Sequence, residues 1–500
     1  MSKKQGFRNW IVWLLFPLMG WYGCTASKVF LTGSSLPRED TTTEESRNVI
    51  QGFRGNTVEP NVIAATVSGG GLLGAPNRVN ANMGFVGGGM ANQAGELGTV
   101  CGGSSNAASG FRAFIGGGGQ NSADRESATI AGGFGNTARG SHATVGGGTF
   151  NTAMEVNATV SGGSGNEARE RHSTVGGGSV NIAGGFGGTV AGGFYNKAMA
   201  TYSTISGGIS NTSSGIGATV GGGAGNHVNG EEGTVSGGMS NRVSDSYGTT
   251  GGGRGNIAGN SNEDPTDAIY ATVGGGTENV AKGSYSVVPG GSSNLAGGDY
   301  SFAGGHRAII HTDHQGAFLY ADSKDADFPS AAANEFAVRA TGGFRFTTST
   351  DGTGTPNAGT RLLPGSGSWE SFSDRNGKAS FATVDTFQIL DHLSKLPLAI
   401  WNYKTQMPQV RHLGPTAQDF HGAFGLGNDD KYISMVDADG VALAAIQGLY
   451  GLVKEKEAEI NIQQEYIGFI ETSMIALRDQ VVSLEGRLAI LEKERGVSKK

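Results

Sequence analysis

Eleven asparagines fall at strict 15-residue intervals from Asn106 to Asn256, and each stands four residues after the first Gly of a Gly-Gly pair. A fixed period with Gly, Asn and β-branched residues at constant phases is the signature of a solenoid, one supersecondary unit stacked many times. The unit reads His142-Ala143-Thr144-Val145-Gly146-Gly147-Gly148-Thr149-Phe150-Asn151-Thr152-Ala153. A Val or Ile recurs at 100, 115, 130, 145, 160, 175, 190, 205, 220 and 235, and an Ala from Ala108 to Ala198. These small apolar side chains are expected to point inward, with glycine and asparagine making the corners, because both tolerate the left-handed backbone region. Each repeat is then two short strands and two turns. Stacked at ~4.8 Å per strand, ten intervals span about 50 Å.

Glycine supplies 89 of 500 residues, far above the usual ~7%, but without the every-third-residue period of collagen. Less regular copies, from Val67-Ser68-Gly69-Gly70 to Pro289-Gly290-Gly291, extend the array to about 62–308. Eight extra residues around Asn260 to Asp267 read as a surface loop. The glycine runs lack the Lys-Ser/Thr that a phosphate loop places at a helix mouth.

The Asn-x-Ala-x-Gly and Ala-Thr-Val-Gly-Gly-Gly pattern resembles the left-handed β-roll heads of trimeric autotransporter adhesins. The resemblance implies a left-handed parallel β-roll, with three thin rolls packed together. A coil with so few large apolar residues has little core of its own. A calcium-binding roll would need the Asp of a nine-residue GGxGxD repeat, which is absent. No cofactor and no metal is expected. His306, His311 and His314 lie close in sequence but have no matching constellation of ligands, and read as surface or packing residues.

Lys3, Lys4 and Arg8 precede an apolar stretch from Trp10 to Tyr22, the layout of an export signal over residues 1–24. Cys24 follows Gly23, where a bacterial lipoprotein signal places the Cys that is lipidated. The other outcome is removal of Cys24 with the signal, and membrane attachment is expected through such a lipid alone. Residues 25–61 are polar and aperiodic, a tether. The expected location is secreted, or the bacterial cell surface or outer membrane. A net charge of −7 with scattered basic residues excludes a nucleic-acid-binding surface.

After the repeats, residues 309–372 read as a β-rich neck. Then come Ser373-Asp374-Arg375-Asn376-Gly377-Lys378, Leu396-Pro397-Leu398, Trp401-Asn402-Tyr403-Lys404, His412 to Phe420, and Val436 to Val441. This series resembles the intramolecular chaperone domain of endosialidase tail spikes, with Gly377, Ser380 and Phe381 departing from its usual residues. The resemblance implies a small α/β domain over 373–450 that trimerises and templates the preceding β-fibre. It then cuts the chain before the Ser of the Ser-Asp motif, here the Phe372-Ser373 bond.

A serine hydroxyl needs a base, and a lysine is one only when its amine is neutral. Ser373 and Lys378 would form that dyad, a single-turnover serine peptidase. Five residues apart, they lie about 140° apart on an ideal helix, so a turn must intervene. Asp374 is a candidate to cap that turn or orient Lys378. His412 and Asp419 occupy motif positions that the family uses near its site.

From Ile446 apolar residues recur at spacings of three and four, through Val453, Ile460, Ile467, Ile470, Leu477 and Leu484 to Leu491. Residues 451–500 therefore read as a coiled coil. Ile467 and Ile470 at neighbouring core positions favour three strands over two. The expected protein is a homotrimeric fibre, mainly β, with a self-cleaving C-terminal chaperone. The alternatives are a non-cleaving trimerisation domain on an adhesin, and a phage-type tail fibre or spike with a glycan or host-surface ligand. The repeats carry no reproducible carboxylate pair for glycan hydrolysis.

Overall fold

The computed structural model describes residues 38–39, 46–260, 262 and 264–497. The export signal and Cys24 lie outside them. The chain divides into two compact units, Met1–Ala340 and Thr341–Lys500.

The first unit is a parallel β-solenoid of about 19 turns. In the regular repeats each coil contributes one two-residue strand to each of two long ladders. In the first ladder Thr144 and Val145 pair with Thr159 and Val160; in the second, Thr152 and Ala153 pair with Glu167 and Ala168. Thr points out and Val in, so Val145, Val160, Ala153 and Ala168 are fully buried in one continuous narrow core. A third column, of single bridges such as Thr149 with Ser164, closes the coil between the two ladders.

The asparagines differ from expectation. They do not occupy the left-handed region; their side chains point inward and are buried. Asn166 donates from Nδ2 to the carbonyls of Gly162 (2.9 Å) and Gly178 (2.9 Å), and its Oδ1 accepts from the Asn181 N–H (3.0 Å). Each amide therefore satisfies backbone groups of its own coil and of the next. The left-handed residue comes one position earlier and includes Phe150 (φ 54°), Val180 (φ 57°) and Tyr195 (φ 58°). Such residues resist this conformation by ~1–2 kcal/mol. The coil-to-coil bonds from Phe150 N to Phe134 O (2.9 Å) and Val180 N to Ser164 O (2.9 Å) hold them there. Glycine is required where the backbones approach: a Cβ on Gly163 (φ 88°) would lie 2.1 Å from the Gly178 oxygen.

The solenoid is longer than its strict period. Val49 already pairs in parallel with Thr66 and Thr57 with Arg78, so the expected 25–61 tether includes the first coil. At the other end Phe318 pairs with Phe336 through Arg339, so much of the expected 309–372 neck is the last coils. Those coils are longer than 15 residues and escape a period search, yet Leu319 and Ala321 still point into the core. His314 Nδ1 meets Ser330 Oγ at 2.6 Å. Among the described residues no three His, Cys, Asp or Glu side chains gather as a metal site.

The insertion after Asn256 lies against Asp245, which is 1% exposed and accepts the Asn260 N–H at 2.7 Å. Tyr247, Tyr270, Tyr285 and Tyr300 stack beside it at 4.8–5.3 Å between ring centroids.

The second unit begins with a three-stranded antiparallel sheet, Phe344–Thr350, Pro356–Leu362 and Trp369–Ser371. Three helices follow: α1 (Thr386–Lys395), α2 (Ala417–Phe424) and α3 (Met435–Val497). Leu396, Phe420 and Val441 form their small core. The helix starts at Met435, well before the expected 451, so residues placed in the chaperone domain belong to the long helix. Its first turns lie against α1, and Gly448 permits this, since a Cβ there would be 2.3 Å from the Thr386 oxygen. At 1.5 Å per residue, its 63 residues extend about 95 Å. Ile460, Ile467, Leu477 and Leu491 are more than half exposed along it.

Replacing Asn166 by Ala strands the Gly162 carbonyl and the Asn181 N–H, each unmade buried bond costing ~1–3 kcal/mol, while the Gly178 carbonyl keeps the Ser164 N–H at 3.0 Å. Contacts in a solenoid are between neighbours, so hydrogen exchange should accelerate in the coils around 166 and 181 and stay slow in distant ones. Burial raises the Asp245 carboxyl above its ordinary 3.8, with Asp267 and Asp264 adding to the rise and the Asn260 N–H opposing it. The folded state then binds more protons than the unfolded, and stability falls as pH rises through the folded value. Thermal melts of Asp245→Asn should match the parent below about pH 3.8 and exceed it at neutral pH.

Candidate functional site

The sheet delivers the chain to the predicted cleavage bond. The Phe372 N–H donates to the Gly359 carbonyl at 2.9 Å, prolonging the last strand by one residue. Asp374 then ends the extended run: its carboxylate accepts the Asn376 N–H at 2.9 Å and caps a single 3-10 turn, Arg375–Gly377. The turn closes with the Lys378 N–H on the Arg375 carbonyl (3.1 Å). It folds the chain back so that Lys378 Nζ lies 2.6 Å from Ser373 Oγ. The turn required by a spacing of five is therefore present, and Asp374 is engaged with it and not with Lys378.

Gly377 lies inside this reversal; a Cβ there would be 3.0 Å from the Phe372 ring and 3.2 Å from the Asn357 carbonyl. A larger residue would press on the side chain that precedes the bond. Phe381 provides a ring beneath the Arg375 guanidinium, 5.1 Å from its centroid. Ser373 and Lys378 are both exposed.

A cavity of about 370 Å³ opens on the strand side of the bond, lined by Arg345, Arg361, Glu370, Phe372 and Ser373 among others. Arg345 and Arg361 stand opposite each other on neighbouring strands, and Arg361 pairs with Glu370 at 2.8 Å. Sequence reasoning missed these residues, since only the strand register brings 345, 361 and 370 together.

The other two predicted residues are engaged elsewhere. His412 lies on the strand His412–Gly414 against the rings of Trp401 (4.8 Å) and Tyr403 (5.6 Å), with Nε2 on Gln406 Oε1 at 2.9 Å. Asp419 belongs to the start of α2. It accepts the Thr416 hydroxyl at 2.6 Å, and its own N–H donates back to that oxygen at 3.2 Å. This reciprocal pair satisfies donors that a helix start leaves open. Both residues hold local structure, and their hydrogen bonds go to neither Ser373 nor Lys378.

The serine of the dyad is the first residue of a recognised segment. Residues 373–425 match the family described as chaperone of endosialidase. The matched chaperone segment thus runs from Ser373 to the end of α2, at Gly425, where the backbone turns left-handed (φ 63°). No curated protein matches the chain. A long β-solenoid followed by this segment and a long C-terminal helix is the organisation of a tail-fibre-like protein, which fits an extracellular or phage-associated setting.

Loss of the α2 cap in Thr416→Ala should cost the chaperone segment about 1 kcal/mol. Thermal unfolding is expected to show this as a lowered midpoint, with no change in the chemistry at Ser373 per folded molecule.

Proposed function

We propose that the chain is a homotrimeric fibre whose C-terminal chaperone gathers three copies, promotes folding of the solenoid and then cuts the Phe372-Ser373 bond. The 2.6 Å contact between Ser373 Oγ and Lys378 Nζ, at the first residue of the chaperone segment, carries this reading. The exposed apolar seam of α3 supports association, because a helix about 95 Å long with one apolar stripe is stable when copies cover that stripe. Parallel solenoid pairing joins residues far apart in sequence, which makes folding slow and aggregation-prone. A device that sets register from the C-terminus has a direct use there.

In the proposed cleavage the Lys378 amine takes the Ser373 hydroxyl proton and Ser373 Oγ attacks the Phe372 carbonyl carbon. The C–N bond breaks, and its nitrogen takes up the proton as the free amine of Ser373. Water then hydrolyses the resulting ester, giving a Phe372 carboxylate and a restored hydroxyl. A lysine serves as such a base when water is excluded from its amine. Both groups are open to solvent in one protomer, so assembly would supply the cover and cleavage would follow it. Once cut, the fibre loses its folding device, and unfolding becomes hard to reverse. Placement at a cell surface or on a virion, and any glycan or host ligand, belong to the same proposal.

Intact mass and N-terminal sequencing test it. The parent should yield a fragment beginning at Ser373. Ser373→Ala should stay full length, and so should Lys378→Arg, because a guanidinium keeps its proton. An uncut, heat-resistant oligomer from the parent would leave a trimerisation domain and remove the peptidase.

A further inference from the structure

The solenoid distributes its charge in a way that its own fold does not require. Between Thr99 and Thr250 every Asp, Glu, Lys, Arg and His falls in the columns that stack on Thr152 through Asn157. Arg112, Glu155, Glu167, Lys197, Glu232 and Arg242 are examples. The columns of Thr144, Thr149 and Phe150 also face outward, yet carry Thr, Ser, Gly, one Gln, one Tyr and exposed apolar groups, with no Asp, Glu, Lys, Arg or His. Phe134, Phe150, Phe194 and Ile209 on this side are each more than 40% exposed. These columns have room for side chains, so backbone crowding of the kind that demands Gly163 does not explain them. Arg254, just past this stretch, is the first charge in the Thr149 column.

We propose that the charge-free side, from the Thr144 column round to the Phe150 column, is the surface on which copies of this chain pack against one another. The inference rests on the self-association proposed above and names the face that performs it. The absence of both signs of charge identifies the partner. An interface with a different protein or an ionic glycan gains from complementary charges. In a symmetric parallel assembly each coil near the axis meets its own equivalent, so a charge of either sign faces its like and repels it. Near that axis only neutral side chains avoid the repulsion in every coil. The area is adequate as well: ten coil steps at ~4.8 Å give about 50 Å of length. A width of ~16 Å along that length reaches the ~800 Å² per partner of a stable interface.

The test uses the full chain with Cys24→Ser and Cys101→Ser, carrying one new cysteine at a time: Thr174→Cys, Ser164→Cys, or Thr152→Cys on the charged side. After treatment with a short bis-maleimide, Thr174→Cys or Ser164→Cys should give covalently linked copies on a denaturing gel, and Thr152→Cys none. Charge insertion provides a second reading, with Ser164→Glu and Thr174→Glu lowering the thermal midpoint of the rod and Thr137→Glu on the charged side, whose ladder neighbours are Ser122 and Thr152, leaving it in place. Linking through Thr152→Cys would overturn the assignment of the face. So would the absence of linking and of any charge effect on the neutral side in a chain that sediments as an oligomer. A chain that sediments as a monomer would instead overturn the association on which the inference rests.

Discussion

The buried asparagine ladder is the interaction on which the solenoid depends. A coil of about 15 residues with Val and Ala inside has too little apolar surface to hold its own corners shut. The side chain of Asn166 bonds carbonyls of its own coil and the next, and receives the N–H of the following asparagine. The Gly162 carbonyl and the Asn181 N–H, which no backbone group pairs, are thereby satisfied, and an orphan beside the buried core is costly. The ladder also fixes register, because an amide displaced by one residue would face the wrong carbonyl. Consequences spread outward from it. Glycine is required where two coils nearly touch, and Phe150 and Val180 are held in a backbone region they would otherwise avoid.

The rod and the chaperone segment solve different physical problems. In the rod each coil contacts only its neighbours, so stability accumulates by repetition and the strands pair across coils. In the second unit, Leu396, Phe420 and Val441 make a compact core from three helices, and the proposed chemistry lies at one reversal of the chain. A capped 3-10 turn places a hydroxyl beside an amine, while the long helix leaves its apolar stripe uncovered. These facts support the proposed order of events, association, then folding, then cleavage. A solvent-exposed dyad is not yet equipped for base catalysis, and a lone apolar stripe calls for company.

Much of the site was legible in the sequence for local reasons. The spacing of Ser373 and Lys378 demands an intervening turn, and Asp374 is a side chain that makes one. The roles of His412 and Asp419 were not legible, because motif position does not reveal which neighbour a side chain takes. Gln406 and Thr416 claim them. The cluster of Arg345, Arg361 and Glu370 was invisible for a related reason: strand register between distant segments decides that contact.

The sequence by itself determined the solenoid, its coil length and its inward residues, because a strict period leaves one way to stack and alternation within each strand leaves one way to face. It also determined the apolar stripe of the C-terminal helix. Only the tertiary structure decided where the solenoid starts and stops, since the first and last coils keep the pairing but lose the period. It decided the inward placement of the asparagines, which depends on a carbonyl one coil away. It also decided which of the charge-free columns face outward, which depends on how each coil closes.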